Sequence, residues 1–272
     1  MQKIINNIAN SVPVEDNTYT GTDGLIYCRN CGGARQVKIS PLGKERIVNC
    51  ICKCMAEKRD QENQRMQTDE LERKRRTCFS QSNMHKWTFA ADDKNNPKLS
   101  EAMQRYVDNF RTFLKEGKGL LLYGTVGTGK TFYAACIANA LIDKEYRVLM
   151  TNFASLTNTL QGKFDGKQEY INSLNNYSLL IIDDLGAERK SEFMQEQVFN
   201  IIDSRYRAGL PMIITTNLTI DEIKKPSEIG NARIYDRILE RCHPIEVTGG
   251  SRRRAKIKDE YNETQMLLGL GD

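Results

Sequence analysis

The spacing of hydrophobic positions changes near residue 99. From there onward, short runs that are apolar throughout alternate with longer segments in which apolar residues recur every three or four positions. The short runs predict strands buried on both faces, and the longer segments predict amphipathic helices. We therefore expect an α/β fold with a parallel five-stranded sheet flanked by helices. The predicted strands are GLLLY, RVLMTN, SLLIID, PMIITTN and PIEV.

Helices are predicted between these strands and after the last of them. The segments are 99–116, 132–144, 153–177, 192–209 and 232–242, followed by a charged C-terminal helix.

The first third of the chain has a different pattern. Residues 1–20 are polar and rich in asparagine, which predicts a short helix followed by a loose segment. Residues 21–56 hold most of the cysteines and the short β-prone pieces ARQVKI and ERIVN. Residues 56–77 mix both charge signs with almost no apolar residue, which predicts an exposed helix or spacer. We expect three parts: 1–56, a charged helical linker at 57–97, and the α/β domain at 98–272.

Charge and hydropathy narrow the class of protein. The net charge is +5, and the basic excess lies mostly in the first 97 residues and in SRRRAK at 251–256. This bias is compatible with nucleic-acid binding, and solvated helix faces explain it equally well. No apolar run has the length of a membrane span, and the N-terminal MQKIINNIANSV lacks a secretory apolar core. We expect a cytoplasmic protein without membrane contact.

The first predicted strand leads into a phosphate-binding motif. GTVGTGKT matches G-x-x-x-x-G-K-[ST] between a strand and a helix, which is the context that the motif requires. Lys130 is expected to hold the β- and γ-phosphates of a nucleotide, and Thr131 to bind Mg²⁺. The alternative is a chance glycine-rich turn. The predicted binding residues are Gly124, Thr125, Val126, Gly127, Thr128, Gly129, Lys130 and Thr131.

Two adjacent carboxylates follow the buried strand SLLIID without a turn residue. Asp183 and Asp184 would repel each other at the edge of a core unless a cation lies beside them. In P-loop proteins an acid at this position faces the Mg²⁺ held by the loop hydroxyl, which is the role predicted for Asp183. Asp184 is then placed to orient the attacking water. A solvent-exposed strand end is the alternative for the pair, and Glu188 is an alternative base or a helix cap.

Two further side chains complete a predicted hydrolysis site. Asn217 ends the strand PMIITTN, where its amide can contact the γ-phosphate or the water. Arg237 lies on a predicted helix and is a candidate arginine finger for the nucleotide of a neighbouring subunit, because the transferred phosphoryl group needs a cationic partner. A surface salt bridge is the alternative for Arg237.

The cysteines predict a metal site. Five of the eight fall within 28–54, as a C-x-x-C knuckle followed by CICKC. Clustered thiols in a cytosolic chain indicate metal binding more than disulfides, and four thiolates satisfy tetrahedral Zn²⁺. We favour Cys28, Cys31, Cys52 and Cys54 as ligands and regard Cys50 as the doubtful fifth. A redox-active or iron–sulfur site is the alternative.

These motifs together resemble the AAA+ ATPases, and among them the DnaC/DnaI-type helicase loaders and the related IstB transposition ATPases. The resemblance covers most of residues 80–270. By this match Asn217 corresponds to sensor 1, Arg237 to the finger and Arg253 to the sensor 2 arginine, with Arg252 as a rival. The matching segments are GTVGTGKT, LLIIDDLG, TTN, RIYDRI and Gly249-Gly250-Ser251-Arg252-Arg253.

The resemblance implies an ATP- and Mg²⁺-dependent loader of a hexameric DnaB-type replicative helicase onto single-stranded DNA, from a bacterium, phage or mobile element. Its zinc-bearing N-terminal region would bind the helicase, and protomers would assemble through AAA+ interfaces. The general AAA+ pattern has Asp-Glu where this chain has Asp183-Asp184, and the shorter second acid implies slow, switch-like hydrolysis. The alternatives are an IstB-like transposase-associated ATPase, a nucleotide-independent DNA-binding adaptor and a small-molecule kinase.

Overall fold

The computed structural model describes residues 17–79, 83–163, 165–186, 192–226, 228–252, 261 and 264–270. The chain divides into two compact units, Met1–Glu70 and Leu71–Asp272, and the boundary lies within one long helix. In the described ranges, no helix combines the length and apolar content that a membrane crossing requires.

The first unit contains two antiparallel hairpins. Strand β1 (Thr18–Thr20) pairs with β2 (Ile26–Cys28), and β3 (Gln36–Ile39) pairs with β4 (Arg46–Asn49). The two β-prone segments of the sequence are therefore confirmed as strands. The loose segment expected within residues 1–20 is wrong at β1, where stacked rings of Tyr19 and Tyr27 support the pairing. The short helix predicted there falls on residues 1–16, which lie outside the described part.

The predicted charged helix is confirmed as α1 (Lys53–Cys78), which is exposed along most of its length. Ion pairs one turn apart, such as Lys53 with Glu57 and Glu72 with Arg76, support a helix that has little apolar surface to bury. The helix becomes buried only at its end, where Cys78 joins the core of the second unit.

The second unit confirms the predicted parallel sheet. Five strands lie in the order β6-β7-β8-β5-β9, and every pair is parallel. Helices α2 to α9 connect or flank them. The strands are β5 (Gly119–Tyr123), β6 (Val148–Asn152), β7 (Leu179–Leu185), β8 (Met212–Thr216) and β9 (Cys242–Glu246). The helices are α2 (Pro97–Asp108), α3 (Phe110–Glu116), α4 (Lys130–Asp143), α5 (Phe153–Gln161), α6 (Lys167–Ser173), α7 (Glu192–Arg207), α8 (Ile220–Lys224) and α9 (Ile229–Arg241).

Alternate strand residues contribute to two cores, one on each face of the sheet. Leu120 and Ile181 belong to one apolar cluster, whereas their neighbours Leu121 and Ile182 belong to the other. This division explains why the strands are apolar throughout, since both faces are covered.

The predicted helix 99–116 is two helices, and the predicted helical segment 153–177 contains α5 and α6. The segment 99–116 is interrupted at Asn109, whose side-chain amide donates a hydrogen bond to the Arg105 carbonyl at 2.8 Å. The backbone of Asn109, with φ of −98° and ψ of 13°, leaves the α-helical range, so α2 ends there and α3 begins. Most of the predicted charged C-terminal helix, including 253–260, lies outside the described residues.

Candidate active site

The predicted site residues converge at the carboxyl edge of the sheet. The glycine-rich loop follows β5, the acidic pair ends β7, and Asn217 follows β8. Because β8 lies between β7 and β5, its end is adjacent to both the acids and the loop. Ligands of open α/β sheets bind outside the carboxyl ends of the strands, so this edge is the place for a nucleotide.

The glycine-rich loop has a backbone that side chains would obstruct. Gly124 has φ of 142°, and a Cβ there would lie 2.6 Å from the Val247 carbonyl oxygen. Gly127 has φ of 87°, and a Cβ there would clash with Ser251. These positions need glycine. Gly129 then occupies the N-cap of α4, so the first-turn amides of that helix are not capped by a side chain and can face an anion.

Lys130 lies inside this loop and is almost fully buried. Its Nζ donates hydrogen bonds of 2.8 Å to the carbonyl oxygens of Gly124 and Thr125 and to Oδ1 of Asn217. All three of these acceptors are neutral, so a phosphate oxygen would be a stronger partner for the ammonium group. The lysine is therefore positioned for a nucleotide phosphate, and Asn217 is linked to the same point.

Asp183 is half-buried beside the loop. Burial raises the pKa of its carboxyl, as does the charge of Asp184, whereas hydrogen bonds from Thr215 and Thr131 and the charge of Lys130 lower it. The hydroxyl of Thr131 and this carboxylate form an oxygen donor set of the kind that Mg²⁺ prefers. The residues present therefore fit Mg²⁺, and a bound cation would offset the desolvation of the Asp183 carboxylate.

Asp184 differs from its neighbour in both exposure and backbone. Its side chain is exposed, and its φ of 57° lies in the left-handed region. The pairing of β7 with β8 shifts register between Ile182 and Leu185, which marks a β-bulge at the acidic pair. An exposed carboxylate at this edge can accept a hydrogen bond from water, which is what the predicted role requires.

The segment after β9 rests on the loop. The backbone amide of Arg252 donates to the Gly127 carbonyl at 3.0 Å. Its guanidinium pairs with Asp92 and Asp93 at 3.3 and 3.2 Å and donates to the Tyr133 hydroxyl at 3.0 Å. Of the two arginines proposed for the sensor 2 role, Arg252 is the one whose contacts are described, because Arg253 lies outside the described residues, as does Glu188.

Arg237 is engaged within its own chain. Its Nε donates to Asp203 Oδ1 of α7 at 2.7 Å, and its guanidinium lies 4.7 Å from the Phe199 ring centroid. Asp203 also pairs with Arg207. In a single protomer Arg237 therefore forms the salt bridge that was the alternative to a finger, and a role toward a neighbouring nucleotide stays a prediction.

The first unit contains a cluster of four cysteines. Hydrogen bonds from backbone amides are the main cause that lowers the pKa of the Cys28 thiol and lowers that of Cys31 to about 6, which favours thiolates at these two positions. Hydrogen bonds with the neighbouring thiols raise the pKa of Cys54 to about 12, so this thiol holds the proton when the others are ionised. Cys50 is different: burial raises its pKa, and its Sγ donates to the Ala34 carbonyl at 3.2 Å. The donor set fits tetrahedral zinc. The sulfur atoms of Cys28, Cys31, Cys52 and Cys54 all lie within 4.8 Å of one another.

A sequence profile of the family described as IstB-like ATP binding protein matches residues 55–260. The match covers well over half of the chain, including the glycine-rich loop, the acidic pair and Asn217. This chain belongs to the IstB-like ATP-binding protein family.

Relatives of this IstB-like chain carry two kinds of name. It is 29% identical over 192 residues to the replicative helicase loader DnaI of Bacillus subtilis (strain 168), which covers 65% of this chain and 62% of the relative. It is 30% identical over 162 residues to a putative insertion sequence ATP-binding protein, y4iQ/y4nD/y4sD, of Sinorhizobium fredii (strain NBRC 101917 / NGR234), which covers 58% of this chain and 54% of the relative. The alignments thus span less than two thirds of these curated relatives.

A solved structure agrees with the fold. The crystal structure of DnaI superimposes with a TM-score of 0.51 at 28% identity, covering 62% of this chain and 92% of that chain. The ATP-binding class and the α/β fold expected from the sequence are therefore confirmed. Because the chain is similar to both loader and insertion-sequence proteins, the comparisons do not distinguish between these two roles.

Sequence reasoning missed Thr215 and the partners of Arg252. Thr215 is fully buried at the end of β8 and contacts both acids, and Asp92 with Tyr133 holds Arg252. A hydroxyl residue at a strand position that periodicity places in the core was the available signal for Thr215, because a buried hydroxyl needs a partner.

Proposed function

We propose that this protein is an ATP-hydrolysing loader that places a hexameric DnaB-type replicative helicase onto single-stranded DNA. The observation that carries the proposal is the four-cysteine cluster upstream of the ATP site, in a chain similar to the loader DnaI. A zinc-bearing N-terminal region is what the resemblance to DnaI-like loaders implies. In this proposal residues 1–56 bind the helicase, 57–97 form the linker and 98–272 form the ATPase domain.

The ATP site supports the chemistry of this proposal. Lys130 and the loop amides hold the β- and γ-phosphates, and Thr131 with Asp183 holds Mg²⁺, which neutralises charge that develops on the phosphates when it is bound. Asp184 orients the attacking water from its exposed position at the strand end. Asn217 accepts a hydrogen bond from Lys130, and its amide contacts the γ-phosphate or the attacking water.

Protomer contacts complete the proposed cycle. Arg237 is supplied to the nucleotide of a neighbour, and the arginine of the GGSRR segment, Arg253 or Arg252, contacts the nucleotide within its own protomer. Hydrolysis is slow because aspartate at position 184 is one methylene shorter than glutamate. Nucleotide occupancy then acts as a switch that orders protomers on the helicase until hydrolysis releases them.

Co-purification with the replicative helicase of the host tests the proposal. Tagged protein is incubated with helicase, with and without ATP and Mg²⁺, beside two matched variants. Lys130→Ala should lose ATP dependence because the phosphate contact is removed. Cys52→Ser should lose the helicase itself, because the N-terminal region no longer folds around zinc. Wild-type protein that binds ATP by calorimetry but never retains the helicase would exclude the loader role.

A transposition ATPase is the second candidate function. It is favoured by the match to the IstB-like family profile and by the 30% identity over 162 residues to the insertion sequence protein. Recovery of a transposase instead of helicase from the same experiment would establish this alternative. Absence of any affinity for adenine nucleotides, with Mg²⁺ supplied, would exclude both candidates.

A further inference from the structure

A single hydroxyl group lies between the two acids of the site. Thr215 is fully buried on β8, the strand next to β7. Its Oγ1 donates to Asp183 Oδ1 at 2.6 Å and accepts a hydrogen bond from the Asp184 backbone amide at 3.0 Å. One side chain therefore contacts the carboxylate of the first acid and the backbone of the second.

The backbone of Asp184 needs such a contact. Its φ of 57° is a conformation that non-glycine residues adopt at a cost, and it persists only where the surroundings fix it. The β7–β8 register shifts at this point, so the amide turns to a side-chain oxygen. Without this acceptor, the bulge would be free to relax and the Asp184 carboxylate would move with it.

The next residue provides a contrast within the same strand. Thr216 is also fully buried, but its Oγ1 donates to the Leu185 carbonyl at 2.7 Å and accepts from the Leu218 amide at 3.1 Å. These bonds fix the ends of β7 and β8 beyond the acids. Two buried threonines of the same strand thus have separate partners, and only those of Thr215 are the acids.

We propose that Thr215 is a positioning residue for ATP hydrolysis, with its hydroxyl fixing the carboxylate of Asp183 and the left-handed backbone of Asp184 together. The inference rests on the proposed roles of these acids in the ATP site. Thr215 is fully buried, so its hydroxyl acts on hydrolysis through the two acids. It acts by keeping the metal-binding oxygen and the water-orienting carboxylate at a constant separation, which an exposed, strained strand end would otherwise not maintain.

Two pairs of variants isolate the hydroxyl. Thr215→Val replaces it with a methyl group of similar size, and Thr215→Ser differs from Thr215→Ala only in the oxygen. We expect kcat for ATP hydrolysis to fall about tenfold or more in Val and Ala, which corresponds to a loss of transition-state stabilisation and not of binding. Affinity for a non-hydrolysable ATP analogue should stay within about threefold of wild type. Ser should retain at least about a third of wild-type kcat.

Thr216→Val is the control for loss of a buried hydroxyl from this strand. Its kcat should be similar to that of Thr215→Ser. A loss of kcat in Thr216→Val equal to that in Thr215→Val would overturn the proposal, as would equal kcat in Ser and Ala. If Thr215→Val does not fold, the difference in kcat between Thr215→Ser and Thr215→Ala still tests the proposal.

Amide hydrogen exchange gives a readout that needs no turnover. The Asp184 amide should exchange about tenfold faster in Val and Ala than in wild type and Ser, because its acceptor is gone. Equal exchange in all four proteins would overturn the proposal while leaving the ATP site intact. Failure of the wild-type protein to bind ATP would instead exclude the proposed function, whatever the exchange rates show.

Discussion

Arg205 carries a buried positive charge in the second unit. It is 1% exposed on α7, and burial lowers the pKa of its guanidinium to about 10, so that it remains charged near neutral pH. Its nitrogens donate to backbone carbonyls that precede β7 and β8, and these bonds tie the starts of both strands together. The acceptors are the carbonyl oxygens of Leu174, Tyr177, Ser178 and Pro211.

Replacing this arginine should destabilise the fold. We expect Arg205→Met to lower the free energy of unfolding by about 3 kcal/mol, because several buried carbonyls lose their donors. The matched control is Arg207→Met, two residues along the same helix with a side chain that is 75% exposed, where a surface ion pair contributes about 0.5 kcal/mol. Urea denaturation measures both. If Arg205→Met lowers the free energy of unfolding by less than Arg207→Met does, water replaces the guanidinium as the donor to these carbonyls.

The acidic pair shows how far sequence prediction reaches at the residue scale. Two carboxylates after an apolar strand predict a cation site because local charge repulsion depends only on adjacency along the chain. The bulge, the left-handed backbone of Asp184 and its bond to Thr215 depend on which strand lies beside β7. Sequence periodicity can show that Thr215 is buried and needs a partner, but it contains no information on that neighbour, so the contacts of Thr215 with the acids could not be assigned.

At the scale of elements, the N-terminal hairpins are too short for a core of their own. Strands of three or four residues bury little apolar surface, and cross-linking through a bound metal would supply the missing stability. One pair of thiols comes from the end of β2 and the turn after it, and the other from the residue before α1 and its first turn, so metal binding would join separate elements.

Metal analysis of cysteine variants tests this cluster. Wild-type protein should contain about one zinc per chain, and Cys52→Ser should lose it, because three thiolates bind more weakly than four. Cys50→Ser is the matched control and should retain the metal, since Cys50 bonds a carbonyl outside the cluster. Retention by Cys52→Ser with loss by Cys50→Ser would reverse the assignment. An iron absorption band would indicate the iron–sulfur alternative.

Helices α7 and α9 together support the side chain of Arg237. Phe199 and Asp203 of α7 hold the guanidinium of Arg237 by stacking and by an ion pair. Such support limits the conformations of a long side chain before any partner arrives. A finger role requires that this guanidinium reach the nucleotide of a neighbouring protomer, which depends on how protomers would assemble.

At the scale of the whole molecule, a mixing experiment separates the two roles of Arg237. Lys130→Ala lacks a functional ATP site but keeps the arginine, and Arg237→Ala keeps the ATP site but lacks the arginine. Each alone should be inactive in hydrolysis. If the arginine acts in a neighbouring protomer, an equal mixture should recover about a quarter of wild-type activity, since that share of random interfaces joins an intact site to an intact finger.

The rate of ATP hydrolysis by this mixture is also measured as a function of protein concentration. Without recovery on mixing, and with ATP affinity retained in Arg237→Ala, the residue is the intrachain salt bridge alone. Arg241→Ala is the control for loss of charge from the same helix, because Arg241 also stacks on Tyr206 of α7. It should hydrolyse ATP at close to the wild-type rate by itself.

Several features of this protein were determined by the sequence alone. The alternation of apolar runs and helical segments specifies the α/β class, because burial on both faces of a sheet leaves its mark in every strand. The glycine-rich loop specifies a phosphate site, because φ values such as those of Gly124 and Gly127 are locally accessible to glycine and to few other residues. Cysteine spacing predicts a metal site within residues 28–54 and leaves Cys50 as a doubtful fifth ligand, whereas the structure brings the four favoured thiols together.

Tertiary structure decided the rest. The strand order places β8 between the acids and the loop, which joins Asn217 to Lys130 and Thr215 to both aspartates. It also brings Arg252 to the loop from a segment more than one hundred residues away. These contacts arise from packing between distant segments, whose free energy depends on the whole fold and leaves no local pattern in the chain.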